Sequence, residues 1–109
     1  MKLTLALLLT IVSLRAERNT NDLQLIIAAI RRVEGTHTYG VKLRGAKDYK
    51  GICERTVLNN YARWRGNEPM LSREYIVHLA DVYCPPSVDK VGNKNWKRNM
   101  IWILKLESR

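Results

Sequence analysis

Three stretches of this chain repeat apolar residues at three- and four-residue spacing and are then cut off by glycine or proline, and a fourth such stretch follows them. That period belongs to helices with one buried face, and the breakers hold each helix to a few turns. Asn19, Thr20 and Asn21 offer caps ahead of Leu23, Ile26, Ile27 and Ile30, which predicts a first helix over 21–34 that Gly35 ends in a left-handed conformation. Asp48 caps a second helix with Cys53, Val57, Tyr61 and Trp64 on one face, closed by Gly66 and Pro69. Ser72 caps a third, carrying Ile76, Leu79, Ala80 and Tyr83, and Pro85 and Pro86 stop it. A last helix is expected over 94–105, presenting Trp96, Met100, Ile103 and Leu104. Residues 36–47 are rich in β-branched and turn residues and read as a loop or small β excursion. The expected fold class is mainly α: one small domain of about four helices with at most a minor β element.

The N-terminus has a different character. Lys2 precedes an apolar run from Leu3 to Val12, and Ser13 and Ala16 follow, the pattern of a secretory signal peptide over 1–16 with the working domain over 17–109. The run is short for a bilayer span. Cleavage after Ser13, an uncleaved anchor and a buried N-terminal helix are the other readings of the segment. Export, to a periplasm or to the outside, is the localisation expected.

At 109 residues the chain is too short for a large cofactor fold, and no cofactor is implied. Its formal charge is +9, and without Lys2 and Arg15 there remain 17 basic and 10 acidic side chains. An anionic partner follows: nucleic acid, an acidic lipid surface or a cell wall bearing carboxylates and phosphates. Export argues against nucleic acid. Arg31-Arg32, Arg63 with Arg65, and Lys94, Lys97 and Arg98 form small clusters that also suit a solvated helix face.

Cys53 and Cys84 are the two cysteines. In an oxidising compartment a disulfide between them would close a loop of about 30 residues and contribute roughly 3 to 4 kcal/mol. Two buried free thiols are the alternative. No metal site is expected, because His37 and His78 are the only histidines and no Cys-x-x-Cys spacing occurs. No serine or cysteine has the surroundings of a catalytic nucleophile.

Glu34 is the residue that invites chemistry. Four residues beyond Ile30, it continues the apolar stripe and ends the helix. The helix dipole and apolar surroundings both disfavour its charge there, so the sequence predicts a raised pKa, as protonation of a glycosidic oxygen requires. The competing reading turns Glu34 outward to pair with Arg31 or Lys42.

Glu34-Gly35 closing an apolar helix, with Tyr39-Gly40-Val41 soon after, resembles the lysozyme-like superfamily of muramidases and lytic transglycosylases. The stretches Asn59-Asn60-Tyr61-Ala62-Arg63-Trp64 and Tyr83-Cys84-Pro85-Pro86-Ser87-Val88-Asp89, and the run from Val91 to Asn99, are similar to small wall-lysis proteins of that type. The likeness covers most of residues 23–105 and implies cleavage of peptidoglycan glycan strands by a monomer, with Glu34 as general acid. A raised carboxyl pKa in an apolar pocket is a known property of lysozyme's acid. Gly35 stands where soluble transglycosylases usually have serine, which leaves the subfamily open.

A two-carboxylate hydrolase needs a second acid about 5 to 9.5 Å away. Asp48 is the nearest downstream candidate and equally a helix cap. With Asp48 only a cap, a single acid would serve, as in lytic transglycosylases. Tyr39 and Asn60 are the expected sugar-binding side chains, Tyr61 and Trp96 are expected in the core, and Trp64 or Trp102 is a candidate for stacking on sugar. An exported binding or inhibitor protein on the same scaffold and a nucleic-acid-binding helical module are the rival functions.

Overall fold

The computed structural model describes residues 20–107, so the signal peptide expected over 1–16 lies outside the described residues. Four helices follow in order: α1 over 20–34, α2 over Tyr49–Arg63, α3 over Arg73–Tyr83 and α4 over Lys90–Ile103. No strand occurs among the described residues, and the chain is mainly α as its periodicity requires.

The caps explain the boundaries. Asp48 accepts a hydrogen bond from Gly51 N–H at 2.9 Å, Ser72 from Tyr75 N–H at 3.2 Å, and Asp89 from Gly92 N–H at 2.8 Å, each satisfying one of the amides a helix start leaves open. The fourth helix therefore begins at Lys90, four residues before the expected start. Its first turn exposes Lys90 and Val91 and buries no apolar side chain, so the hydrophobic stripe is silent where Asp89 already directs the chain.

The ends are equally specific. Gly35, at φ 72°, donates its N–H to Arg31 C=O at 2.9 Å and closes α1 by a single left-handed residue. After α4, Lys105 N–H reaches Trp102 C=O at 3.2 Å and Leu106 N–H reaches Ile101 C=O at 3.0 Å. This pair of bonds is the Schellman arrangement, and it ends the helix at Ile103 rather than at 105. Its left-handed position is held by Lys105 at φ 57°, where glycine is usual, and Leu106 is returned to the core at 2 % exposure.

The core lies between the apolar stripes. Ile26, Ile27 and Ile30 of α1, Cys53 and Val57 of α2, Tyr75, Ile76 and Leu79 of α3, and Trp96 and Met100 of α4 are all buried. Met70 fills the core from the connection between α2 and α3, and Leu106 from the segment after α4. Helix α3 packs against both α2 and α4, and the middle of α4 reaches the end of α1 through Trp96 and Glu34. Between α1 and α2 the chain makes a tight turn, with Val41 N–H to Thr38 C=O at 2.9 Å and positive φ at both Tyr39 and Gly40. That is the sense of a type I′ turn, and it folds the loop back over the end of α1 without starting a sheet.

The left-handed Lys105 gives a stability prediction. A non-glycine residue there carries about 1 kcal/mol of steric cost, so Lys105→Gly is expected to stabilise the domain by about 0.5 to 1 kcal/mol. A higher urea midpoint with an unchanged slope is the expected result, and a lower midpoint would contradict it.

Candidate functional site

Glu34 is the last residue of α1 and its side chain is half-buried. The carboxylate is turned inward: Oε1 accepts a hydrogen bond from the indole Nε1–H of Trp96 at 3.1 Å, across 62 residues of sequence. Trp96 is itself buried at 5 % exposure and needs an acceptor for its single polar hydrogen. Among the described residues the ion pair within 4.0 Å is Lys50 with Glu54, so Glu34 is not bridged to Arg31 or Lys42.

The turn forms the other side of the carboxyl. Gly40 packs so closely that a Cβ placed there would sit 2.9 Å from Glu34 Cδ and 3.0 Å from Oε1. Its φ of 73° independently favours glycine. Tyr39, beside it, is half-buried against the core with the Arg31 guanidinium 5.9 Å from its ring centre. Of the Tyr-Gly pair, Gly40 is thus brought against Glu34.

Behind Trp96 lies Tyr83, its ring stacked on the indole at 5.5 Å and nearly parallel, with 7° between the planes. The Tyr83 hydroxyl meets Cys53 Sγ at 3.1 Å. Burial raises the Tyr83 phenol above its ordinary value, followed by the bond to Cys53 and then by the negative charge of Cys53 and Glu34. Burial also raises the Cys53 thiol, the Tyr83 bond opposes this, and Glu54 and Glu34 add to it. Tyr83 O–H donating to sulfur accounts for both directions. Two hydrogen-bonded pairs, Glu34 with Trp96 and Cys53 with Tyr83, are therefore joined through the core by the stacked indole and phenol rings.

The disulfide expected between Cys53 and Cys84 is not formed; both cysteines are free. Cys53 is buried on α2 and engaged by Tyr83. Cys84, the C-cap of α3, instead turns toward the start of α4, where a Cβ on Gly92 would lie 2.9 Å from its sulfur. The two sulfurs thus have different neighbours, the Tyr83 hydroxyl for Cys53 and Gly92 for Cys84.

Asp48 and Asn60 have structural partners. Asp48 caps α2 through Gly51. Asn60 Oδ1 accepts from the hydroxyl of buried Tyr75 at 2.8 Å, and the same hydroxyl approaches Val57 C=O at 3.2 Å. The Tyr75 phenol is raised above its ordinary value, chiefly by burial and secondly by Tyr61. Tyr61 is half-buried, as its place on the apolar face requires, and Trp64 lies with Tyr75 and His78 in one aromatic group. Of the tryptophans, Trp102 alone is exposed.

Sequence reasoning singled out Glu34 but missed its donor. Trp96 reads as an ordinary stripe residue, and the one available signal was that a buried indole must find an acceptor while Glu34 ends a stripe. Tyr83 was equally hidden, as a plain core residue of α3. No group of His, Cys, Asp and Glu suited to a metal ion occurs among the described residues. Comparison of the chain with protein-family models, curated proteins and solved structures gives no match.

Two measurements test this geometry. Gly40→Ala and Gly45→Ala share the left-handed penalty, with φ 73° and 74°, but a Cβ at Gly45 meets nothing within 4 Å. Each should lose about 1 to 2 kcal/mol, and Gly40→Ala roughly 1 kcal/mol more because it displaces the Glu34 carboxyl. Equal losses on denaturant unfolding would show that Gly40 is not packed on Glu34.

The second concerns alkaline pH. The folded chain binds the protons of Cys53, Tyr75 and Tyr83 more tightly than the unfolded chain, whose groups titrate near 9.0 and 10.0. Their contribution is complete below those values and is lost as pH rises beyond them, each group costing up to about 1.4 kcal/mol per pH unit. The unfolding free energy should fall from about pH 9 upward, less steeply in Tyr83→Phe; parallel curves for the two proteins would refute the assignment.

Proposed function

We propose that this chain cleaves the glycan strands of peptidoglycan between N-acetylmuramic acid and N-acetylglucosamine, with Glu34 as the proton donor. The observation that carries the reading is the carboxyl of Glu34, half-buried at the end of α1 and oriented by the Trp96 indole against the Gly40 turn. A fixed carboxyl at the rim of an apolar core suits protonation of a leaving glycosidic oxygen, because its lone pairs and proton are aimed rather than averaged over solvent. The resemblance of the Glu-Gly and Tyr-Gly pairs to the lysozyme-like superfamily points to the same chemistry.

The capping role of Asp48 favours a one-acid course over a two-carboxylate hydrolysis. Glu34 protonates the bridging oxygen as its bond to the muramic anomeric carbon breaks. A hydroxyl of the same muramic residue forms the new bond to that carbon and returns its proton to Glu34. No water is consumed, and the product ends in an anhydro sugar. Tyr39 precedes Gly40 in the turn that packs on the acid and is the side chain suited to contact the sugar.

Purified chain and its variants, assayed on isolated walls with mass spectrometry of the fragments, test this. Glu34→Gln should lower activity by about 10² to 10⁴-fold with little change in stability, because glutamine can still accept from Trp96. Asp48→Asn should remain active, since asparagine caps equally well. Unchanged activity in Glu34→Gln would remove the catalytic assignment, and a comparable loss in Asp48→Asn with water-added ends would restore a second acid. A wild type that binds walls without cutting them would point to a binding protein.

A further inference from the structure

We infer that the outer face of α4, with the adjoining edges of α1 and α3, docks the protein on an anionic lipid surface. Two contiguous grooves make up this face, sharing Glu107 as a wall. In the first, of about 350 Å³, Arg73, Lys94, Lys97 and Arg98 surround an apolar floor of Val77 and Ile101. In the second, of about 440 Å³, Arg32 and Lys105 stand beside Trp102.

The register of α4 produces the arrangement. Lys94, Lys97, Arg98 and Ile101 follow one another at helical spacing, so these cations stand on one face of α4 while Trp96 and Met100 face the core, and Lys105 joins them from just beyond the helix end. Glu107 is the single carboxylate lining the grooves, and the ion pair of the described residues lies elsewhere, at Lys50 and Glu54. Six cations therefore meet one acid.

The apolar groups on the same face select the partner. Val91 is 70 % exposed at one end of α4 and Trp102 63 % exposed at the other. Phosphate polymers offer charge to the cations and nothing to the valine and indole. A headgroup layer takes both, since indoles settle at the membrane interface and basic side chains are drawn to anionic lipid. One exposed ring also gives no ladder on which successive bases could stack. No helix among the described residues is long and apolar enough to cross a membrane, so the contact is with the surface.

Co-sedimentation of the full chain with phosphatidylcholine vesicles, and with vesicles also containing phosphatidylglycerol, tests the inference. The N-terminal apolar run is common to every variant, so ratios between variants report on this face. Wild type should favour the anionic vesicles. Lys94→Gln with Lys97→Gln should weaken that binding about 30-fold, whereas Lys47→Gln with Arg55→Gln, equal in charge and exposed elsewhere, should change it less than about threefold. Trp102→Ala should weaken vesicle binding by about tenfold and leave binding to inorganic polyphosphate unchanged. Equal losses in the two charge pairs would reduce the effect to net charge and overturn the site. Full vesicle binding by Trp102→Ala would overturn lipid in favour of a soluble phosphate polymer. Glu34→Gln should bind vesicles as wild type does, so this test and the test of catalysis fail separately.

Discussion

The hydrogen bond from the Trp96 indole to the Glu34 carboxylate holds the two ends of the domain in register. Each partner solves a problem for the other: a buried N–H obtains an acceptor, and a carboxylate at a helix C-terminus, where the dipole repels it, obtains a donor. Gly40 closes over the pair from the turn, and Tyr83 backs the indole from α3. Because the donor comes from α4 and the acceptor from α1, the site is a long-range contact that bears the loop-closure cost of the chain between them.

The helices were legible because their signals are local. Ile26, Ile27 and Ile30 mark the buried face of α1, and Gly35, Asp48 and Ser72 sit at its end and at the starts of α2 and α3 as their chemistry demands. Asp89 was overlooked as a cap because the first turn of α4 carries no buried apolar residue for a stripe to begin on. The early end of α4 was hidden too, since lysine is a poor marker of a left-handed position.

The candidate site was half legible. Glu34 declared itself by completing a stripe of isoleucines, and the Tyr39-Gly40 pair by its turn chemistry. Their partner did not, because pairing across 62 residues leaves no trace in local spacing. Asp48 and Asn60 illustrate the opposite difficulty: a polar side chain near a presumed site also serves the backbone or a buried hydroxyl, and here they bond to Gly51 and Tyr75. Cysteine number and compartment suggested a crosslink, whereas the direction of each sulfur depends on which helix face carries it.

The separate thiols change what sort of folding problem this domain poses. Its core closes around Cys53 as a small apolar side chain with a phenol for company, so no covalent step stands between the unfolded and folded chain. An oxidant or a disulfide isomerase is then unnecessary to reach the native state.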